Sequence, residues 1–428
     1  MTTEKNNISR KLLNPFKGDK AIWFIFLVLA IISLISVFSS IGYSAITSNR
    51  TPEGAFMRHL LFVVLTFFVV IFLSNFNYRR FSGLSWFGYL LSIGLLIAVF
   101  IVGHKSNDAG SGMSRWIVLP VVGQFQPSEL AKIVIIIYMA RLLAQEKDNL
   151  RDWKTLRNIM IPLFVIIALV VSENLSTALI IFFVCFAMIR IAPINANHWR
   201  LTLLGLIVVG ALALFIGEKM NIPFLARSGT WTSRVDRWMN FDPDQLSQES
   251  MARMAVASGK FFGVGVGSTV QARLMTQANN DLIYSIIIEE TGLFGGIVVL
   301  LLYIYLYVRC IRIAIKCKGD FGRMTVIGLG TLIFLQAAIH MSVSVGAIPV
   351  TGQTLPFISS GGTAYLCMGL ALGVIQSVAY DVNISEAKEK RRLQAANESH
   401  PETAVEEPEA EETVVQPDTT TETKEETI

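Results

Sequence analysis

A chain of 428 residues that is 53% hydrophobic and only 16% charged is too apolar for a soluble domain, which carries about a quarter charged residues. Its 36 basic and 32 acidic residues leave a net charge of +4, with the basic ones dispersed over short loops, which argues against nucleic acid as the main partner. Four cysteines without paired spacing (Cys185, Cys310, Cys317, Cys367) argue against a disulfide framework or a zinc site and read as buried thiols.

The first apolar run follows a basic stretch (Lys5, Arg10, Lys11, Lys17, Lys20) and has no small-residue cleavage pattern behind it, so it is read as a retained helix. Runs long enough to cross a bilayer then recur, and the predicted spans are 21–43, 59–76, 83–103, 128–145, 158–172, 176–192, 201–217, 283–308, 324–345 and 363–380. The expected fold is therefore an all-α polytopic membrane protein of about ten transmembrane helices. A membrane domain over 21–380 contains a large loop, 218–282, between helices 7 and 8; a segment 1–20 precedes it. Alternation from a cytoplasmic N-terminus gathers Arg79 and Arg80, the group from Arg141 to Arg157, Arg200, the group from Arg309 to Arg323, and Lys388 to Arg392 on one side. By the positive-inside rule that side is the cytoplasm, and both termini lie in it. The segment 381–428 ends in a stretch rich in Thr, Glu and Pro and is expected to be a disordered acidic tail.

The opposite side collects the chemistry-bearing stretches. In "SGMSRWIVLPVVGQFQPSELAK", Trp116 suits a membrane interface and Arg115 suits a phosphate. Pro127 can open the fourth helix, and Glu129 and Lys132, three apart, fit a buried pair. In "SRVDRWMNFDPD", Arg234 and Arg237 either meet a diphosphate or are merely solvated. "TQANNDLIYSIIIEETG" puts Asp281 where the long loop meets the eighth span, as either a helix cap or a functional acid. On a continuous helix Ser285 and Glu289 fall about 40° and 80° round from Asp281, with Glu290 opposite. Acids inside a span face the protein interior or a polar cavity, and Glu289 and Glu290 read as a paired structural feature. In "VTGQTLPFISSGG", Pro356, Gly352, Gly361 and Gly362 interrupt an apolar region at membrane depth. Such backbone is tolerated only when buried in protein or lining a cavity. The chain has no GxxxxGK[ST], HExxH or Gly-x-Ser-x-Gly motif. Its five histidines suggest no metal cluster, and His340 reads as a hydrogen-bonded core residue.

In this order and spacing, "QFQPSELAK", "ENLSTALI", "RVDRWMNFDPD", "ASGKFFGVGVGS", "NNDLIYSIIIEETG" and "PVTGQTLPFISSGG" resemble signatures of the SEDS family of bacterial division and elongation proteins, FtsW and RodA. The likeness runs from the first span to about residue 380, and the long ends look more like the FtsW branch. It implies a peptidoglycan glycosyltransferase of the cytoplasmic (inner) membrane that polymerises lipid II on the outer face during cell division or elongation. It also implies that Asp281 is the catalytic acid, that Trp116 is functionally sensitive, and that Glu129 and Lys132 lie in a central cavity. A class B penicillin-binding transpeptidase, with other division proteins, is the implied partner. On this reading Asp281 is the general base, Arg115, Arg234 and Arg273 are candidates to meet the diphosphate, and Ser360, Gly361 and Gly362 shape the cavity. No resident metal site is expected; a divalent cation (Mg or Mn) is the one cofactor left open. The chain departs from the family where "TQANND" replaces Pro-Glu-Ala-His-Thr-Asp, where Gln271 stands for a common basic residue, and where "ENLS" replaces Pro-Asp-Leu-Gly. Two other classes stay open: a lipid II flippase, because intramembrane acids and broken helices also mark transport paths, and a non-catalytic division scaffold with the acidic tail as its handle.

Overall fold

A bilayer core offers backbone groups no water, so each apolar run must satisfy its own hydrogen bonds as a helix. The computed structural model describes residues 16–47, 51–102, 117–119, 123–150, 152–192, 228–240, 247–271 and 278–399. In it the chain forms α1 (Lys20–Thr47), α2 (Pro52–Ser74), α3 (Arg79–Val102), a hairpin of β1 (Ile117–Leu119) and β2 (Gly123–Phe125), α4 (Pro127–Gln145), α5 (Trp153–Glu173) and α6 (Leu175–Ile191). There follow α7 (Ser228–Met239), α8 (Gln248–Gly259), the single turn α9 (Ala278–Asp281), α10 (Ile283–Lys316), α11 (Asp320–Ser344) and α12 (Thr363–Ser399).

Nine of these helices overlap nine of the ten predicted spans; the remaining one, 201–217, lies outside the described residues. Seven are long and apolar enough to cross a membrane, and α6 is a shorter apolar helix. The chain is a multi-pass membrane protein. Polar residues punctuate the runs. Asp19 caps α1 through bonds from the amides of Ala21 and Ile22 at 2.8 and 3.1 Å. Asn174, the second residue of "ENLS", caps α6 by accepting from Ser176 N at 3.0 Å. Thr51 caps α2 with Pro52 at its first position, so that helix begins seven residues earlier than the apolar run predicts.

The expected tail is corrected at its start: α12 continues to Ser399, so 381–399 are helical rather than disordered. The stretch "EAKEKRRLQAA" is rich in helix formers and spaces Glu386 four residues before Lys390. The chain divides into a unit ending at Asn383 and a second beginning at Ile384, described only as this helix to Ser399.

Within the first unit α11 is central, packing against α3, α4, α6 and α10, while α1 packs against α2 and α10. At the end that holds the basic loops, Asp19 pairs with Arg309. Its backbone exchanges two bonds with the Gln376 side chain, at 2.7 and 3.1 Å. At the other end lie the hairpin, α7, α8, α9 and the irregular segment 345–362. The hairpin pairs Ile117 with Phe125 and is fastened to α12 where Thr363 Oγ1 donates to Gln124 O at 3.2 Å.

Candidate functional site

Asp281 is half-buried at the loop end. It closes α9, and the next residue, Leu282 (φ −132°, ψ 19°), separates that turn from α10. The N-cap of α10 is Leu282, without a side-chain cap bond, so Asp281 does not cap the helix. The continuous face joining Asp281, Ser285 and Glu289 is likewise corrected. Ser285 is buried and turns its hydroxyl back onto Leu282 O at 2.7 Å.

The irregular loop holds the neighbour of Asp281, Asn280. Ser359 Oγ donates to Asn280 O and Ser360 Oγ to Asn280 Oδ1, each at 2.8 Å. Ser359 Oγ in turn accepts from Leu355 N at 2.7 Å. The irregular loop therefore satisfies its own backbone while gripping α9, which is how non-helical chain persists at this depth. Gly352, at φ +67°, comes so close that a Cβ there would stand 3.6 Å from Asp281 Oδ2.

Arg234, on α7, donates from Nη1 to Val350 O at 3.1 Å, two residues from Gly352. Burial lowers its guanidinium pKa from the usual arginine value, and the negative charge of Asp281 opposes that fall. An arginine stays protonated under such a shift, so a fixed positive charge lies within electrostatic reach of the acid. Trp238 Nε1 and Arg253 Nη2 both donate to Gly346 O, at 2.9 and 3.4 Å, holding α7 and α8 on the same loop.

A second polar chain approaches the loop through the bundle. Lys132 Nζ donates to Glu129 Oε1 at 2.9 Å and to Gln336 Oε1 at 2.7 Å. Gln336 Nε2 donates to Thr354 O at 2.8 Å. One helical turn further along α11, His340 Nδ1 donates to Gln353 O at 2.7 Å, and Gln353 Nε2 to Thr177 Oγ1 at 3.0 Å. The Glu129–Lys132 pair is thus wired through Gln336 to Thr354, two residues after Gly352.

Of the residues singled out from sequence, the structure brings Asp281, Arg234 and Ser360 to one loop and connects Glu129 and Lys132 to it from behind. A side chain at Gly361 would meet Ala364 and Thr354, each at 3.2 Å, and one at Gly362, which stands at φ +45°, would meet Phe62 at 3.4 Å, so both positions belong to the close-packed loop. Arg115, Trp116 and Arg273 lie outside the described residues. Glu289 and Glu290 do not pair with each other; both bind the segment 267–271. Sequence reasoning passed over Asn280, Gln336, Gln353 and Thr354. Gln336 and His340, four apart in an apolar span, carry a readable signal, because polar groups at that spacing share one helix face. Among the described residues no group of three or more His, Cys, Asp or Glu side chains is placed to hold a metal ion.

The profile of the FtsW/RodA/SpoVE family, described as cell cycle proteins, matches residues 19–384. A probable peptidoglycan glycosyltransferase FtsW of Enterococcus hirae is 28% identical over 392 residues, covering 88% of this chain and 96% of that protein. Stage V sporulation protein E of Bacillus subtilis is 30% identical over 374 residues, covering 84% and 96%. Among solved structures, a chain of a peptidoglycan synthase complex that coordinates polymerization and crosslinking superposes with a TM-score of 0.66 at 24% identity, over 85% of this chain and 98% of that one. RodA of Thermus thermophilus superposes with a TM-score of 0.61 at 22% identity, over 85% and 97%; at these identities the two structures speak for the fold. The chain belongs to the FtsW/RodA/SpoVE family of cell cycle proteins.

Proposed function

We propose that this chain is a peptidoglycan glycosyltransferase that polymerises lipid II, an undecaprenyl-diphosphate-linked disaccharide, with Asp281 as its general base. One observation carries the assignment of the base. In a chain of this family, Asp281 is a half-buried carboxylate gripped through Asn280 by Ser359 and Ser360, at the end of the bundle away from the basic loops.

The positive-inside rule makes the basic end cytoplasmic. Both termini then lie on the cytoplasmic side of the cytoplasmic membrane, and Asp281 opens on the outer face, at the level of a lipid headgroup. The acceptor's sugar hydroxyl attacks the anomeric carbon of the lipid-linked donor strand. The new C–O bond forms as the bond to the diphosphate breaks, and undecaprenyl diphosphate leaves with the electron pair. Asp281 takes the hydroxyl proton, an assistance typically worth about 10²–10⁴-fold. Negative charge collects on the departing diphosphate, where Arg234, within electrostatic reach of the acid, supplies a fixed counter-charge. Arg115 and Arg273 are further candidates for that role. A divalent cation, on this reading, travels with the diphosphate of the substrate, and no step is assigned to it.

A class B penicillin-binding transpeptidase is the proposed partner, with other division proteins. The likeness to a chain of a complex that couples polymerization to crosslinking supports this. The work belongs to division or elongation of the cell wall.

The test is a gel of products from fluorescent lipid II, with the purified protein alone and with its transpeptidase, comparing wild type and Asp281→Ala. A glycan ladder from wild type only is the expected result. Equal ladders would remove Asp281 as base, and headgroup translocation without any ladder would point to a flippase instead.

A further inference from the structure

The ribbon 260–271, which follows α8, is irregular, yet its backbone is bonded to protein rather than left to water. Gly292 stands at φ +75° and breaks α10. There Leu293 N and Phe294 N donate to Lys260 O and Phe261 O, at 3.0 and 3.3 Å. In return the carbonyls of Glu289 and Glu290 accept from Val264 N and Gly265 N, at 2.9 and 3.1 Å. The approach leaves room for no side chain: a Cβ on Gly263 would fall 2.1 Å from Glu290 O, and one on Gly292 2.2 Å from Phe261 O. The two carboxylates take the next donors. Glu289 accepts from Thr269 Oγ1, from Val270 N at 3.0 Å and from Gln271 N at 3.2 Å. Glu290 accepts from Gly267 N at 3.1 Å and from Ser39 Oγ on α1. Gly263 N and Ser268 N bond back to Gly259 O and Gly265 O, at 2.7 and 3.2 Å.

The side chains face the other way. Phe262 is 80% exposed, Val266 61% and Val270 62%, and Phe261 and Val264 are exposed as well. No charged residue stands between Lys260 and Arg273. A loop in water would leave its amides to the solvent and turn its apolar groups inward. A lipid boundary asks for the reverse, because it offers apolar contact and few hydrogen-bond partners.

The ribbon meets α10 at the depth of such a boundary. Gly292 and Arg309 are 17 residues apart with no charge between them, a rise of about 26 Å along a helix, against a bilayer core about 30 Å thick. Arg309 pairs with Asp19 at the basic end, so Gly292 lies near the opposite edge of the core. Phe294, Ile297 and Leu301 form an exposed face of α10. Phe261, bonded to Phe294 through the backbone, carries that face onto the ribbon.

We infer that 260–270 is a lipid-contact surface: Phe261, Phe262, Val264 and Val266 rest against acyl chains at the edge of the bilayer core, and Lys260 reaches a lipid phosphate. The leaflet is the outer one on the orientation proposed above. Lys260 is exposed, and a lysine can extend its ammonium to the headgroups while its stem stays at the apolar boundary. The occupant is lipid rather than a protein partner for two reasons. The surface continues a membrane-spanning face, and beyond Lys260 it offers no charge to fix a partner's register. Lipid contact here does not depend on which reaction the chain performs.

The experiment uses the full chain in nanodiscs of phosphatidylethanolamine and phosphatidylglycerol, with and without its transpeptidase. A nitroxide is attached at Phe262→Cys, Val266→Cys or Val270→Cys, one at a time. Phe294→Cys serves as the lipid reference and Lys147→Cys as the water reference. The four native cysteines are buried, and the unsubstituted chain carried through the same labelling sets the background. Paramagnetic resonance then compares collisions with oxygen, which enters lipid, and with a water-soluble nickel chelate. At Phe262→Cys and Val266→Cys the oxygen-to-nickel ratio is expected to match that at Phe294→Cys and to exceed that at Lys147→Cys several-fold, whether or not the transpeptidase is present. Val270→Cys carries the test if Phe262→Cys does not insert. A ratio like that at Lys147→Cys would make the ribbon a water-exposed loop and overturn lipid contact. Scarce collisions with both reagents would overturn it too, because protein would then cover the ribbon: a second copy if the chain alone shows this, the transpeptidase if only the complex does.

Discussion

Among the described residues, the buried neighbours Glu129 and Lys132 and the buried neighbours Glu289 and Glu290 are solved in opposite ways. Glu129 and Lys132 are opposite charges one turn apart on α4, 2.9 Å from each other, with the Lys132 side chain fully enclosed. Most of their compensation is local, and Gln336 only passes it on to the loop. Glu289 and Glu290 are like charges side by side, and neither can help the other. Each is met by neutral donors from elsewhere in the sequence, from 267–271 and from α1. The first arrangement belongs to a helix and survives as long as the helix does. The second exists only when the segment 267–271 is docked on α10.

The sharpest way to break this comparison is to remove the lysine. Lys132→Met leaves the Glu129 carboxylate buried without its counter-charge, which costs about 3–5 kcal/mol when one partner of an enclosed pair is lost. The double variant Glu129→Met with Lys132→Met should melt closer to wild type than the single, because no charge is then stranded. Thermal unfolding in micelles measures both. Glu290→Gln should cost less, about 1 kcal/mol, because an acceptor oxygen remains for Gly267 N and Ser39. A Glu290→Gln loss as large as that of Lys132→Met would mean that the neutral donors stabilise the acid as strongly as a cation does.

A third substitution tests the irregular loop where it holds α9. Ser359→Ala removes the donor to Asn280 O and the acceptor for Leu355 N, at about 1 kcal/mol per bond lost. Turnover should fall by more than stability does if the grip on α9 positions Asp281. A fall in kcat against an unchanged KM, read from lipid II polymerisation, checks this.

The same contrast explains what could be read from the sequence. The nine spans were legible because the bilayer demands an unbroken apolar run, and the Glu129–Lys132 pair because its geometry is fixed by a spacing of three on one helix. The break at Leu282 was not legible. "NNDLIYS" contains neither Gly nor Pro, so the helical wheel ran through it and grouped Asp281 with Ser285 and Glu289. The donors to Glu289 were out of reach for another reason: Thr269 to Gln271 lie 18 to 20 residues away, across a loop with no periodicity to place it. Arg234 was legible as a cation near a phosphate-sized task, but its bond to Val350 O depends on how α7 lies on the loop. The helix to Ser399 was missed because charge density was weighed above helix propensity.

The smallest effect is expected at the basic end, where a charge pair is exposed. Lys147 Nζ stands 3.0 Å from Asp320 Oδ2, with the two side chains 51% and 31% exposed. Arg323 on the same helix keeps a second contact with Asp320 at 3.5 Å, so removing Lys147 strands no charge. A pair of this kind contributes about 0–1 kcal/mol, screened further by salt. Lys147→Ala should therefore shift the melting temperature little in low salt and not at all in high salt. A shift that persists in high salt would show that Lys147 holds α11 by something other than charge, and the distinction between a stranded and a solvated ion would no longer order these substitutions.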